Sequence, residues 1–114
     1  MFIFKICADF EWEESKKSGI YLGSEDDLRD GFVHFSTSEQ LDETAAKHFA
    51  GRKDLLLICY MPERIGSSLR WEPSRGGALF PHVYGPLNTG DAHWVKPLPL
   101  GPDGHIFPAL DETK

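Results

Sequence analysis

Two histidines stand in short, strand-like stretches beside hydroxyl side chains. His34 lies in DGFVHFST, where Ser36 and Thr37 follow it, and His82 lies in FPHVYGPL, where Tyr84 follows it. A histidine exchanges a proton near neutral pH, and among apolar neighbours both of its ring nitrogens need partners. The histidines are therefore candidate catalytic residues, and the hydroxyls are candidate ligand contacts. The alternative is that each imidazole packs in the core and satisfies its nitrogens locally.

A second group of functional side chains lies in RWEPSRGG. Arg70 and Arg75 can each clamp a phosphate or a carboxylate in a forked geometry. Trp71 and Tyr84 offer flat faces on which a base or a nicotinamide ring can stack. Glu72 is a candidate catalytic base or a partner of a ribose hydroxyl. The alternative is that Glu72 pairs with a neighbouring arginine and that the glycine pair only shapes a turn.

Other chemistries have less support in the sequence. A metal site would need His34, His82, His93 and Glu72 to converge, but none of these shows the short ligand spacing of zinc motifs, so we expect no metal. A serine nucleophile elbow of the GxSxG type is absent, as are the Walker A and GxGxxG phosphate loops. A metal-dependent hydrolase is kept as the third alternative for the function.

The charge distribution restricts the class of partner. Residues 1–45 carry 11 acidic and 4 basic side chains, whereas residues 46–114 carry 7 acidic and 8 basic ones. Binding of long nucleic acid requires clustered lysine and arginine, and the sequence has no such run. We therefore expect no long nucleic acid as a partner. A single bound nucleotide needs only one or two arginines and remains compatible with this composition.

The sequence also indicates a compartment. Cys7 and Cys59 show no paired-motif spacing, and we expect both thiols to be reduced. The sequence has no leader peptide and no apolar run of membrane-spanning length. These features predict a cytoplasmic protein that binds no membrane.

The elements that position the candidate residues are predicted from periodicity and capping. FIFKICA should form the first strand, and a short helix should then run from a cap at Asp9 to a stop at Gly19. A brief helical turn capped by Ser24 precedes the strand FVHF. The second main helix is expected over SEQLDETAAKHFAG, with a cap at Thr37 or Ser38 and a stop at Gly51. DLLLICYM is the most apolar run and predicts a buried central strand.

The last half of the chain has a different composition. The prolines and most of the glycines lie after Met61, which predicts short strands at LRWE, PHVYGPL and HWVKPL joined by structured loops. We predict one domain, residues 1–114, of the α+β class. It should contain a small, strongly bent antiparallel or mixed sheet, two main helices and a loop-rich C-terminal half. The sequence leaves the oligomeric state open.

The order of several motifs resembles a known family. GIYLGS, DGFVHFST, the DLLLI strand and FPHVYGPL follow one another as in the small bacterial proteins that are catalogued as domain of unknown function 952. The resemblance covers nearly the whole chain. Its motifs are specific in combination, although no single one is. This family name by itself implies no activity.

A more distant resemblance implies chemistry. The layout is similar to the catalytic lobe of RNA 2′-phosphotransferases and of the wider ADP-ribosyltransferase group, in which a split β-core holds NAD or an ADP-ribosylated intermediate. His34-Phe35-Ser36 resembles their His-Leu-Ser motif, which implies that His34 contacts a ribose or a phosphate. Their first-strand Tyr-His-Gly-Thr falls on Phe4-Lys5-Ile6-Cys7, so Lys5 stands in place of the histidine, and the basic partner lobe of those enzymes is missing.

The residues and the resemblance together predict a nucleotide-binding cleft. NAD is the cofactor that the resemblance implies, a small-molecule nucleotide is the expected partner, and an enzyme would be a transferase of the ADP-ribosyl or phospho type. His34 would orient the ribose, and Arg70 and Arg75 would neutralise phosphate. Glu72 or His82 would supply acid–base help. The alternative is a non-catalytic module that binds a small molecule or another protein.

Overall fold

The computed structural model describes residues 1–74 and 76–110 of the chain. Its elements, in chain order, are β1 (Ile3–Ala8), α1 (Asp9–Ser18), β2 (Ile20–Tyr21), α2 (Glu25–Asp30), β3 (Val33–His34), α3 (Leu41–His48), β4 (Leu55–Tyr60), β5 (Leu69–Ser74), β6 (Ala78–Val83), β7 (Leu87–Asn88), β8 (Trp94–Leu98), β9 (Leu100–Gly101) and β10 (Gly104–His105). Short 3-10 turns lie at Pro62–Arg64, Gly66–Ser68 and Thr89–Asp91. The predicted α+β class is confirmed.

Two three-stranded sheets form the framework, with strand orders β1-β4-β8 and β3-β6-β5. The strand pairs in the described ranges are all antiparallel, which decides between the antiparallel and mixed alternatives. Strand β4 is the central strand of the first sheet, as DLLLICYM predicted. The two sheets meet where Ser36, two residues beyond β3, exchanges a pair of 2.8 Å backbone hydrogen bonds with Phe4 of β1.

The core lies on both faces of the first sheet. Successive side chains of a strand point to opposite faces, so Ile3 and Cys7 enter one hydrophobic cluster while Phe4 and Ile6 enter another. The first cluster also contains Trp12 of α1. The second cluster is covered by α3. Cys7 and Cys59 are free thiols in different clusters, and burial raises the pKa of Cys7 to about 12.

The two main helices differ from the prediction at their ends. Helix α1 ends at Gly19, which has φ +85°, as predicted, but Asp9 is its first residue and the cap position belongs to Ala8. Helix α3 is shorter than predicted because neither Thr37 nor Ser38 caps it. The Gln40 side chain accepts a hydrogen bond from the backbone N–H of Thr37 and donates one to Leu79 O of β6. Residues 37–40 are thereby held as a turn ahead of the helix.

Helix α2 is shorter than the two main helices, and it begins with a complete capping box. Ser24 Oγ accepts a hydrogen bond from Asp27 N, and the Asp27 carboxylate accepts one from Ser24 N. This pair satisfies two backbone donors that the start of a helix leaves open, which confirms the predicted cap at Ser24. Along the part of the chain that the structure describes, no helix combines the length and the apolar character that crossing a membrane requires.

Candidate functional site

A cleft of about 300 Å³ opens between the two sheets, with α2 and α3 at its sides. Strands β1 and β6, the segment that follows β3, and both helices contribute to its lining. Small-molecule sites in proteins usually have volumes of about 300–1,000 Å³, so this cleft lies at the small end of that range. The cleft contains the two histidines that the sequence motifs singled out, and the sections of chain that carry them are 48 residues apart.

Residues 33–36 enter the cleft through simple strand alternation. Val33 and Phe35 are buried in the core, whereas His34 and Ser36 point to the opposite side and line the cleft. Strand β3 pairs with β6 in a register that places His34 directly opposite His82. Their ring centroids are 5.6 Å apart. The two separate histidine motifs therefore meet in one site.

Asp27 holds His34 in place. One oxygen of the carboxylate, Oδ1, lies 2.6 Å from His34 Nδ1 and accepts a 3.1 Å hydrogen bond from the backbone N–H of His34. The other oxygen, Oδ2, lies 2.7 Å from Nζ of Lys5 and also accepts the Ser24 N–H. Gly23 makes this packing feasible, because a Cβ there would lie only 2.6 Å from Asp27 Cβ.

The Lys5–Asp27 pair is an ion pair inside the fold. Both side chains are almost fully buried. Burial by itself raises the pKa of Asp27, but the hydrogen bond from His34 and the charge of Lys5 outweigh it, so the pKa of Asp27 lies well below its usual range. Asp27 therefore stays ionised and anchors β1, α2 and β3 at the inner end of the cleft.

The second nitrogen of His34 also faces a carboxylate. His34 Nε2 lies 3.0 Å from Asp30 Oδ2, at the last turn of α2. Arg29 joins the same surface through contacts of 3.2 Å with Asp30 and 3.0 Å with Asp26. The pKa of Arg29 is raised by the hydrogen bond and charge of Asp30. The outer rim of the cleft is thus a network of paired charges.

His82 has a carboxylate partner of its own. Its Nδ1 lies 2.7 Å from Oε1 of Glu72 on β5, and the Tyr84 hydroxyl donates a 2.8 Å hydrogen bond to the same oxygen. These two hydrogen bonds lower the pKa of Glu72, and the contact raises the pKa of Tyr84. Within residues 1–74 and 76–110, His82 Nε2 makes no hydrogen bond. The His82 ring also lines the cleft.

An aromatic ring and a hydroxyl pair complete the site. Phe32 stacks on His82 with centroids 4.1 Å apart and lies 4.6 Å from the His34 ring, so it holds both imidazoles from one side. On the α3 side, the hydroxyls of Ser36 and Thr44 lie 2.8 Å apart. Their position gives the cleft an uncharged polar wall opposite the acidic rim.

The predicted site residues fall into three groups. His34, Ser36 and His82 line the cleft, and Glu72 and Tyr84 stand behind His82. Arg70 lies beyond them on β5, where it is exposed and its guanidinium sits 5.7 Å from the Tyr84 ring centroid. The other predicted residues are not among those lining the cleft, or are not described: Thr37 borders a separate, smaller cavity, Trp71 is turned away, and Arg75 lies outside the described residues.

The position of Trp71 follows from strand geometry. Directly opposed residues of an antiparallel pair share a face, and Arg70 opposes His82 while Trp71 opposes Pro81. The side chain of Trp71 therefore points to the face of the sheet opposite to the cleft. Trp71 therefore does not lie beside the histidines, and its role as a stacking surface for a base or a nicotinamide ring stays a prediction.

Five charged residues of the described lining were missed from the sequence: Lys5, Asp26, Asp27, Arg29 and Asp30. Lys5 was visible as the only charge in the otherwise apolar strand FIFKICA, and a buried lysine needs an anionic partner. Asp27 was visible as the last residue of a Ser24-x-x-Asp capping box. Neither feature of the sequence predicts that Lys5 and Asp27 form an ion pair, because β1 and α2 are brought together only by the tertiary fold.

Of the residues considered for a metal, His34, His82 and Glu72 lie together, but His93 does not join them. His93 packs against Phe2, with centroids 4.8 Å apart, and is not among the residues that line the cleft. The described part of the chain holds no group of three or more His, Cys, Asp or Glu side chains arranged to bind a metal ion. The geometry therefore gives a metal-dependent hydrolase no ligand set among these residues.

Comparison with known proteins gives a family. A family model described as "Protein of unknown function (DUF952)" matches residues 6–95. The crystal structure of protein CC0527 from Caulobacter crescentus is similar to this chain, with 45% identity, 92% of each chain covered and a TM-score of 0.88. Its solution NMR structure has a TM-score of 0.82, again at 45% identity, over 91% of this chain and 90% of the other. A search of curated proteins found no match. The chain belongs to the family of domain of unknown function 952.

Proposed function

We propose that the cleft binds a nucleotide-type small molecule and that His34 and His82 act on it as an acid–base pair. The observation that carries this proposal is the pairing of the two histidines across β3 and β6, with ring centroids 5.6 Å apart. Each ring is held at Nδ1 by a carboxylate, Asp27 in one case and Glu72 in the other. A histidine that is held at Nδ1 in this way can present Nε2 to a ligand, as His82 does, whereas His34 Nε2 faces Asp30.

The two rings are suited to different roles. Glu72 accepts the Nδ1–H of His82, so the neutral ring carries its lone pair on Nε2, which has no hydrogen-bond partner within the described ranges and can take a proton. His34 faces carboxylates at both nitrogens, an arrangement that the doubly protonated ring satisfies. His82 is therefore the proposed base and His34 the proposed acid.

The reaction that fits this pair is hydrolysis of a phosphate ester or an N-glycosidic bond. A water molecule gives a proton to His82 Nε2 while its oxygen forms the new bond to phosphorus or to the anomeric carbon. The bond to the leaving group breaks, and the leaving oxygen or nitrogen takes a proton from His34. With another hydroxyl in place of water, the same proton transfers perform group transfer, as in an ADP-ribosyl- or phospho-transferase.

The nucleotide class is proposed from the lining and from the motif resemblance. The two imidazoles and Phe80 line the cleft and present ring surfaces, and the Ser36 hydroxyl oxygen offers an acceptor for a sugar. The likeness of His34-Phe35-Ser36 to the His-Leu-Ser motif of ADP-ribosyltransferases favours the same class, with NAD or ADP-ribose as its fuller form. Exposed Arg70 lies near enough to His82 to meet a phosphate that extends out of the cleft.

The first test is a thermal-shift and ligand-observed NMR screen with NAD, ADP-ribose, AMP and a 2′-phosphorylated dinucleotide. A ligand at 100 times its Kd stabilises the folded state by about 2.7 kcal/mol, which shifts Tm by several degrees for a domain of this size. We expect a shift in the wild type that His34→Ala and His82→Ala lose. His105→Ala is the matched control, because His105 bonds to Arg52 O away from the cleft.

The outcomes separate the alternatives. If none of these compounds shifts the wild type, the nucleotide proposal is wrong. If a compound binds but is recovered unchanged after long incubation, the protein is a binding module and the acid–base roles of the histidines are wrong. Product formation that is lost in both cleft variants, and retained in the His105 control, supports the enzyme.

A further inference from the structure

We infer that the part of the ligand held inside the cleft is uncharged: a nucleoside, with base and ribose within and any phosphate outside. This inference rests on the proposed function and names the ligand class that the cleft selects. Of the two bonds considered there, it leaves the N-glycosidic bond as the one that lies inside the cleft beside the histidines. It differs from the sequence-based expectation that arginines of the site neutralise a bound phosphate. It follows from the charge balance of the lining, the groups that remain available for hydrogen bonding, and the size of the cavity.

The lining has no free cation among the described residues. Its cations are Lys5 and Arg29, and its anions are Asp26, Asp27 and Asp30. Lys5 is committed to Asp27 at 2.7 Å, and Arg29 to Asp26 and Asp30 at 3.0 and 3.2 Å. Counted over the described lining residues with neutral histidines, the balance is one negative charge in excess, and protonation of one imidazole brings it to neutrality.

A phosphate inside this cleft would be poorly matched. It would lie beside carboxylates, which repel it, and Lys5 and Arg29, the lysine and the arginine of the described lining, would each have to leave an existing ion pair to bind it. The start of α2 offers no compensation, because the Asp27 carboxylate already accepts the Ser24 N–H and acidic residues fill the first turn. The described cleft therefore selects against anions.

The groups that remain suit a nucleoside. Carboxylates such as Asp30 accept hydrogen bonds from ribose hydroxyls, as acidic residues do in dinucleotide-binding sites. On the opposite wall, Thr44 donates its hydroxyl proton to Gln40 O and Ser36 donates to Thr44, so the Ser36 hydroxyl oxygen can accept a hydrogen bond from a sugar hydroxyl. Phe4, Phe49 and Phe80 also line the cavity and provide apolar contact for a planar base. These are the three kinds of contact that an uncharged, hydroxyl-bearing aromatic ligand requires.

The volume of the cavity also favours a nucleoside. Its volume of about 300 Å³ is at the lower limit for small-molecule sites. One base and one sugar use a cavity of that size, so the second half of a dinucleotide would extend into solvent. Exposed Arg70, which does not line the cleft, is then placed to meet charge outside it.

The test compares matched pairs of ligands. Isothermal titration measures Kd for adenosine, guanosine, cytidine and uridine, and for their 5′-monophosphates, at low and at moderate salt. We expect the best nucleoside to bind within about threefold of its monophosphate, with little dependence on salt, because no phosphate contact is made inside the cleft. The variant Asp26→Asn/Asp30→Asn should improve binding of the monophosphate by about tenfold relative to the nucleoside, because it removes two repelling charges.

The failures of this inference and of the proposed function are distinguishable. Binding of a monophosphate more than about tenfold tighter than its nucleoside, weakening as salt is raised, would overturn the inference and leave the proposed function standing. Absence of binding by every nucleoside and monophosphate, and by NAD and ADP-ribose, would overturn both. The melting temperature and the amide NMR spectrum of the Asp26→Asn/Asp30→Asn protein verify that it is folded, and Glu43→Gln on α3, outside the lining, is its control.

Discussion

In the Asp27–His34 pair the carboxylate side chain is 1% exposed and the imidazole is 39% exposed, whereas in the Glu72–His82 pair the values are 34% and 7%. The same contact is therefore built in opposite ways on the two sides of one cleft. In the first pair the carboxylate of Asp27 is buried and the imidazole of His34 is partly exposed to solvent. In the second pair the histidine is inside, and the acid stands on edge strand β5, beside solvent.

The two carboxylates differ in how many elements of the fold they hold together. Asp27 closes the capping box of α2, binds Lys5 of β1 and fixes His34 of β3, so one carboxylate joins three elements. Within the described ranges, the hydrogen bonds of the Glu72 side chain go to His82 and Tyr84, on the adjacent strand and just beyond its end. Loss of Asp27 should therefore affect the whole fold, whereas loss of Glu72 should affect the behaviour of one histidine and one tyrosine.

The largest effect is expected for Asp27→Asn. Removal of one charge from a buried ion pair leaves the other without compensation, here Lys5, and costs about 3–5 kcal/mol of unfolding free energy. Urea denaturation followed by tryptophan fluorescence measures this loss. Asp30→Asn is the matched control, because it also contacts His34 but is partly exposed, and it should cost less than about 1 kcal/mol. Equal losses in the two variants would contradict the proposed difference.

The second-largest effect is expected from low pH, which should weaken the ion pair of Asp27 with Lys5. The pKa of Asp27 is lower in the folded protein than its usual value of about 3.9 in an unfolded chain. The stabilisation from this carboxylate is thus fully present above pH of about 4, and it is lost as the pH falls below that value toward the folded pKa. The stability difference between the wild type and Asp27→Asn should shrink between pH 6 and pH 3. A difference that stays constant over this range would show that Asp27 is not the group that titrates.

The smallest effect on stability is expected for Glu72→Gln, whose melting curve should match the wild type within experimental error because the carboxylate is partly exposed and binds residues on and just beyond one neighbouring strand. The effect of Glu72→Gln should be confined to the residues that Glu72 binds. The pKa of Tyr84 is raised by its hydrogen bond to Glu72, so the variant should titrate Tyr84 at a lower pH than the wild type does. NMR of ring-labelled tyrosine measures this shift. Tyr60 is the internal control, because its pKa is raised mainly by burial and should not move.

Much of the local structure was predictable because its causes lie within a few residues. The apolar run of β4, the stop of α1 at Gly19 and the Ser24 cap of α2 were all predicted. The first is visible in the composition of consecutive residues, and the two helix ends depend on contacts between residues no more than four apart. The start of α3 was not predicted correctly. Its position depends on the bond from Gln40 to Leu79 O, which joins residues 39 positions apart.

The candidate site divides in the same way. The sequence by itself determined the family, the alternation that turns His34 and Ser36 away from the core, and the presence of two histidines among apolar neighbours. Only the tertiary structure decided that His34 faces His82, that Lys5 meets Asp27, and that Trp71 lies on the opposite face. The physical reason is register: alternation is a property of one strand, but a partner across a sheet is set by how distant strands align, and a shift of one residue would reverse every face.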